Sequence, residues 1–284
     1  MRRPLPVVLL LVALVGAVKC GGDKEQTPQQ VLAAAPGETV GSRTSKVALN
    51  VSVDGGVETV DFKGDGVFDF KSQRGRLVLD LSSLGLQGAT GTTEIVFNAD
   101  LVFMKLPFDL PQLKARPWVK IDLSKLDEVT GIDVSQLRQI QSNDPTAALN
   151  YLRGVTDNVQ VVGREDVRGE NTTHYKALID LRKAARGSPT KLKDDIAQII
   201  EQLGSTTIDS DVWIDGEGRL RKLQYRVDLS KVDLPTQKNE AEPSGVLTAT
   251  FELFDFGTDA DVADPPPDQV TDLKDLIKGS RPPE

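Results

Sequence analysis

Short stretches in which apolar and polar residues alternate follow one another along most of this 284-residue chain. In the first of them, Val47, Leu49, Val51 and Val53 are separated by polar residues. Such alternation puts successive side chains on opposite faces of a strand, so that one face is buried and the other is wet. Gly- and Asp-rich turns join the stretches in sequence order, which is typical of an antiparallel meander.

The pattern predicts roughly ten strands with a few helices inserted between them. The strand-like segments are 47–53, 57–62, 67–70, 76–81, 94–97, 101–106, 118–123, 159–163, 173–181, 206–214, 220–228 and 246–256. Helical spacing predicts a helix from Thr27-Pro28 to Ala35, two helices over 132–152 and one over 191–203. Strands and helices do not alternate regularly, so the predicted fold class is α+β.

The N-terminal segment predicts export from the cytoplasm. Arg2 and Arg3 precede an apolar run from Val7 to Val18, which is too short to span about 30 Å of hydrocarbon. The chain becomes polar directly after this segment, with no stop-transfer pattern. We therefore expect residues 1–19 to be a signal peptide.

Cys20, the only cysteine, follows this segment. Its position looks like that in a bacterial lipoprotein signal, where the cysteine becomes the acylated N-terminus. Lys19 departs from that pattern, because a small residue normally precedes the cysteine. We expect Cys20 to anchor the protein to the extracytoplasmic face of the cell membrane, with residues 20–30 as a spacer. Ordinary secretion with an unpaired thiol is the alternative.

The net charge of −8 limits the possible partners. An acidic chain is unsuited to nucleic acid, which requires a basic face to neutralise phosphates. The charge also opposes attraction to anionic lipid headgroups, so attachment to a membrane would depend on Cys20.

Few residues could support catalysis or bind a metal. His174 is the only histidine and no G-x-S-x-G motif accompanies it, so we expect a strand histidine that is hydrogen-bonded for structural reasons. One histidine and one acylated cysteine cannot form a four-ligand zinc site. The acids at 209–211 and 215–217 lack the spacing of a calcium loop, and a hairpin turn explains Asp215–Gly218. We expect no catalytic residue, metal or cofactor.

Several segments resemble the actinobacterial LppX/LprG/LprA/LprF lipoproteins. In chain order they are Cys20-Gly21-Gly22, the Thr27-Pro28 helix start, Trp118 within Arg116–Asp122, the stretch Val161–Gly169 leading into Thr172–Tyr175, and Val212–Arg219. The resemblance extends over residues 28–257 and rests on the order of these segments. The chain departs from the family pattern at Lys19, in an insert at 109–114 and in its long C-terminal extension.

The resemblance implies a LolA/LolB-like fold, a strongly bent antiparallel sheet that forms a half-open barrel around a few helices. Residues 31–257 would form the ligand-binding domain, and 258–284 an acidic, Pro-rich extension. Members of the family bind acylated lipids or lipoglycans in a hydrophobic cavity and move or place them in the cell envelope, and we expect this chain to bind and transport such a lipid as a monomer. The alternative is an interaction or regulatory lipoprotein whose cavity is filled and which acts through an envelope protein partner.

The expected cavity residues are apolar side chains on predicted strands and helices. They are Phe68, Phe70, Leu101, Phe103, Trp118, Leu137, Leu149, Leu152, Ile196, Ile200, Trp213 and Phe251. Such residues usually fill a core, and the sequence does not separate a packed core from a lined pocket.

Overall fold

The structure, a computed structural model, describes residues 26–55, 59–84, 91–108, 113, 116–123, 149, 152–186, 193, 196–197, 200–201, 203–232 and 245–279. The predicted signal peptide, Cys20 and Leu137 lie outside the described residues, as does nearly all of the stretch 132–152.

Twelve strands within the described residues form one sheet. They are β1 Thr44–Asp54, β2 Thr59–Asp69, β3 Arg74–Asp80, β4 Thr92–Asn98, β5 Leu101–Lys105, β6 Trp118–Asp122, β7 Val155–Val167, β8 Glu170–Asp180, β9 Thr207–Asp215, β10 Leu220–Asp228, β11 Val246–Phe254 and β12 Val270–Asp272. The helices with described bounds are α1 Pro28–Gly41, α2 Leu181–Arg186 and α3 Leu273–Gly279. Further helical residues lie at 193, 196–197, 200–201 and 203, within the predicted helix over 191–203.

The sheet consists of two antiparallel meanders. Its strand order is β12-β6-β5-β4-β3-β2-β1-β11-β10-β9-β8-β7. One meander runs from β1 to β6 and the other from β7 to β11, and the antiparallel pair β1–β11 joins them. β12 pairs with β6 in parallel. The sheet is curved and open, which confirms the predicted α+β class with a bent, largely antiparallel sheet.

Two glycines allow close approach in the bend of the sheet at β2 and β3. A Cβ atom on Gly66 would collide with the backbone oxygen of Arg76, and one on Gly75 would collide with the ring of Phe68. Glycine within a strand commonly marks a tight bend for this reason. The glycines and acids of 63–66 predict a turn between two strands, but β2 continues through these residues, because they pair with both β1 and β3.

Helix α1 packs against one face of the sheet, which we call the inner face. The predicted start at Thr27 is confirmed: its hydroxyl accepts a hydrogen bond from the Gln30 N–H, and the Gln30 side chain accepts one from the Thr27 N–H. This reciprocal pair satisfies two N–H groups at the helix end. Leu32 and Ala35 of α1 are fully buried in the main core.

The segment 258–272, which we call the C-terminal strap, crosses the opposite or outer face. Its first residue, Thr258, accepts a hydrogen bond from the Thr44 hydroxyl. Farther along, Asp264 accepts hydrogen bonds from Arg74 and Asn98. The strap ends as β12 beside β6. The acidic, Pro-rich composition of this segment predicts an extension, whereas residues 270–272 contribute a strand to the sheet.

Candidate functional site

The inner face brings together seven of the expected cavity residues. These are Phe68, Phe70, Leu149, Leu152, Ile196, Ile200 and Phe251. The first five are buried, and Ile200 and Phe251 are partly buried against them. Together with Leu32 and Ala35 of α1 they belong to the main core, in which side chains of the sheet and helices contact one another.

A second apolar area lies on the same face, in the other half of the sheet. It consists of Leu77, Leu79, Ile95, Phe97, Val102, Met104 and Ile121, which we call the β3–β6 patch. The strand register places it on the inner face, because residues directly opposite each other in paired strands lie on the same face. Val47 of the main core lies opposite Gly66, Gly66 lies opposite Leu77, and Leu77 lies opposite Ile95. The patch forms a cluster separate from the main core.

The residues of this patch differ in exposure. Ile95, Phe97 and Val102 are buried, whereas Leu79 and Met104 are among those that are only half-buried. They are not among the expected cavity residues, although the sequence shows the alternation in β3 and β4. Finding them requires the strand register, which relates the faces of neighbouring strands.

Three expected cavity residues lie on the outer face instead. Leu101, Phe103 and Trp118 form a small cluster with Val96, and Val262 of the strap covers them. The expectation that they face inward is wrong because the run from Leu101 to Met104 is apolar throughout. Because no polar residues alternate with the apolar ones in such a run, the sequence does not show which of its side chains face the core.

Trp213 also lies on the outer face. Its neighbours in β9, Val212 and Ile214, belong to the main core, so the side chain between them points the other way. There the indole ring stacks on His174, with ring centroids 4.2 Å apart and an interplanar angle of 11°. Its Nε1 donates a hydrogen bond of 2.7 Å to Glu165. Trp213 therefore contributes to a polar cluster and not to the inner face.

Both ring nitrogens of His174 contact carboxylates. Nδ1 lies 2.8 Å from Glu165 Oε1, and Nε2 lies 2.7 Å from Asp211 Oδ1. The other oxygen of Asp211 accepts a hydrogen bond of 2.6 Å from Arg226. We call these residues and Trp213 the outer-face cluster. An ionised carboxylate only accepts hydrogen bonds, and both ring nitrogens of His174 are engaged by carboxylates of the cluster.

The cluster favours ionised acids. Hydrogen bonds from Trp213 and His174 hold the pKa of Glu165 below its ordinary value. Burial acts to raise the pKa of Asp211, but hydrogen bonds from Arg226 and His174 outweigh it and the pKa is lowered. Glu165, His174, Asp211 and Arg226 come from four different strands, β7 to β10, so no local motif predicted this cluster.

The β9–β10 hairpin confirms a structural role for Asp215. Its Oδ1 accepts hydrogen bonds from the backbone N–H groups of Glu217 and Arg219, at 3.0 and 2.9 Å. Its Oδ2 accepts from the guanidinium groups of Arg219 and Arg221, at 2.9 and 2.7 Å. Burial acts to raise the pKa of Asp215, and these donors outweigh it and lower the pKa.

Two further findings concern metals and membranes. In the part of the chain that the structure describes, no group of three or more His, Cys, Asp or Glu side chains is placed to hold a metal ion. None of the described helices has both the length and the apolar composition needed to cross a bilayer.

Comparison with known proteins identifies similar chains. No protein-family model matches the sequence. A curated relative from Streptomyces griseus, named an uncharacterized 31.2 kDa protein in the rplA–rplJ intergenic region, is 27% identical over 165 residues. This match covers 57% of the present chain and 50% of the relative, so the chain matches about half the length of that protein.

Solved structures with a similar arrangement include two mycobacterial lipoproteins. LppX of Mycobacterium tuberculosis is 16% identical, with a TM-score of 0.44, and the match covers 82% of this chain and 98% of LppX. LprF of Mycobacterium bovis is 14% identical, with a TM-score of 0.43, and the match covers 84% of this chain and 96% of LprF. Both belong to the group of lipoproteins that the sequence segments resemble.

Proposed function

We propose that the protein is a non-enzymatic extracytoplasmic lipoprotein that binds the acyl chains of a lipid on the β3–β6 patch. The observation that carries this proposal is the division of the inner face into two areas. The main core is packed around α1, whereas the patch is a separate cluster whose Leu79 and Met104 are only half-buried. An apolar surface inside a curved sheet is suited to shielding hydrocarbon from water.

Burial of acyl chains supplies enough free energy for such binding. Each buried methylene contributes about 0.8 kcal/mol, so ten methylenes contribute about 8 kcal/mol before the cost of association is subtracted. The burial of hydrocarbon requires no charged group, which is consistent with an acidic protein that attracts anionic headgroups poorly.

Acylation of Cys20 completes the proposal. The segment between Cys20 and Pro28 reaches at most about 28 Å when it is extended. A protein anchored in this way would keep its folded domain close to the membrane.

Native mass spectrometry of the chain that begins after Cys20 tests the proposal. We expect a co-purifying lipid that is lost on denaturation, and uptake of an apolar fluorescent probe by lipid-free protein. A clean lipid-free mass with no probe uptake would contradict lipid binding, and would favour a filled cavity and a protein partner.

Adjacent residues of β3 provide a matched pair of variants. Leu79 is on the inner face, whereas Val78 is on the outer face and 43% exposed. We expect Leu79→Gln to weaken probe binding about tenfold, as one apolar side chain is replaced by a polar one. Val78→Gln makes the same kind of change on the other face and should leave binding unchanged. Thermal unfolding of both variants checks that the comparison is made between folded proteins.

A further inference from the structure

A groove of about 430 Å³ crosses the outer face next to the outer-face cluster. Its polar lining residues come from four neighbouring strands, β7 to β10, and include Asn158, Gln160, Lys176, Asp209, Asp211 and Arg226. Leu178 also lines it and lies opposite Asp209 across the β8–β9 pair. We call it the polar groove. Its volume is in the range of small-molecule pockets.

Four side chains in the groove are available to a ligand. Among the described residues, those of Asn158, Gln160, Lys176 and Asp209 have no hydrogen-bond or ion-pair partner. The two carboxamides both donate and accept, the ammonium group only donates and the carboxylate only accepts. This combination matches a ligand whose groups can both donate and accept hydrogen bonds, as hydroxyl groups do.

One wall of the groove is fixed before any ligand arrives. Asp211 is only 3% exposed, and His174 and Arg226 each hold one of its oxygens. A preorganised wall lowers the entropy cost of binding. The outer-face cluster thus positions Asp211 and Arg226 beside the available side chains.

The charges in the groove select against an ionic ligand. Lys176 and Arg226 are balanced by Asp209 and Asp211, so a phosphate would meet two carboxylates and a cationic peptide would meet two cations. Leu178 adds an apolar surface of the kind that packs against the C–H groups of a sugar ring. We propose that the polar groove binds a neutral saccharide, either free or as the headgroup of a glycosylated lipid.

This site is independent of acyl-chain binding. The polar groove lies on the outer face, and the β3–β6 patch lies on the inner face in the other half of the sheet. A ligand in one does not occupy the other, so either proposal can fail while the other stands.

Chemical-shift mapping of the ¹⁵N-labelled chain that begins after Cys20 tests the saccharide site. We expect methyl α-glucopyranoside or maltose to shift amide signals of β7–β10 around the polar groove at millimolar concentration. Asp209→Asn should weaken this binding about tenfold, the loss of one charge-assisted hydrogen bond. Asp61→Asn alters an exposed carboxylate of β2, outside the groove, and should leave the affinity unchanged.

Vesicles distinguish the two sources of the saccharide. Phosphatidylcholine vesicles are compared with vesicles that also contain a glucosyl-diacylglycerol. Shifts at the groove that require the glycosylated lipid and are weakened by Asp209→Asn would identify a lipid headgroup as the ligand. The proposal is overturned if neither sugar form shifts the groove signals. The proposal is also overturned if inorganic phosphate shifts the groove signals and the sugars do not. In the vesicle experiment it is overturned if Asp209→Asn has no effect on vesicle binding while Leu79→Gln abolishes that binding.

Discussion

Asp211 is almost completely buried, yet it accepts hydrogen bonds from His174 and Arg226. Burial alone would raise its pKa, and these two donors reverse that effect and lower it. A carboxyl group whose folded-state pKa is depressed stabilises the folded protein above its unfolded-state pKa, which is about 3.9. That contribution is lost as the pH falls through the folded-state pKa.

We therefore expect Asp211→Asn to lower the free energy of unfolding by about 1–3 kcal/mol at neutral pH, because it weakens hydrogen bonds between charged groups. The difference from the natural protein should shrink as the pH falls below about 4, because Asp211 is then protonated in the unfolded chain and, at still lower pH, in the folded protein too. Urea unfolding over a series of pH values measures both effects.

Asp209→Asn is the matched control, because Asp209 lies two residues away on the same face and is exposed. It should change the free energy of unfolding by about 0.5 kcal/mol or less. Equal losses in the two variants, or a loss in Asp211→Asn that does not depend on pH, would contradict the role given to Asp211.

Single residues also show what the sequence could reveal about the site. His174 was expected to be a hydrogen-bonded strand residue, and the structure confirms this. Its partners Glu165 and Asp211 come from different strands, so their identity depends on the register of β7, β8 and β9. The apolar triplet Val212-Trp213-Ile214 left the side of Trp213 undetermined. A cavity lined by the remaining expected residues stays a prediction.

At the level of elements, the alternation of apolar and polar residues predicted most strands, but it did not predict that the C-terminal strap packs on the sheet. Val262 and Val270 are isolated apolar residues in an acidic, Pro-rich segment, so no periodic pattern marked them. In the structure Val262 is 6% exposed and packs on the cluster that contains Phe103 and Trp118. In the ion pair between Arg74 and Asp264, the Asp264 side chain is more than a third exposed, so the pair contributes little to stability. Apolar contact therefore holds the strap more firmly than charge does.

We expect Val262→Ala to lower the free energy of unfolding by about 1–2 kcal/mol, because it removes two buried methyl groups. Val246→Ala is the matched control: Val246 starts β11 and is 42% exposed, so its truncation should cost about 0.5 kcal/mol or less. Urea unfolding with tryptophan fluorescence measures both variants. If they lose equal stability, the strap is not held by Val262.

In the molecule as a whole, one curved sheet carries two apolar areas on its inner face, and within the described residues different elements pack against them. Helix α1 packs against β7, β9 and β10, where the main core lies. The β3–β6 patch lies toward the other edge of the sheet, where the last strand, β12, has only three residues. Regions with fewer buried contacts open at a lower free energy than the global unfolding of the protein. Without ligand, the amide hydrogens of β3–β6 should therefore exchange faster than those of β8–β10.

An acyl ligand bound to the patch should reduce this difference. A ligand present at about 100 times its Kd stabilises the closed state by about 2.7 kcal/mol, which slows exchange through local opening roughly a hundredfold. Hydrogen exchange measured by mass spectrometry, with and without the lipid found in the native complex, follows both halves of the sheet at once. With binding weakened about tenfold, Leu79→Gln should reduce this slowing from roughly a hundredfold to roughly tenfold, and Val78→Gln should preserve it. A lipid effect confined to β8–β10 would place the binding surface elsewhere, because strands that contact the ligand have their local opening suppressed by it. Equal exchange in the two halves without ligand would contradict the lower local stability given to β3–β6.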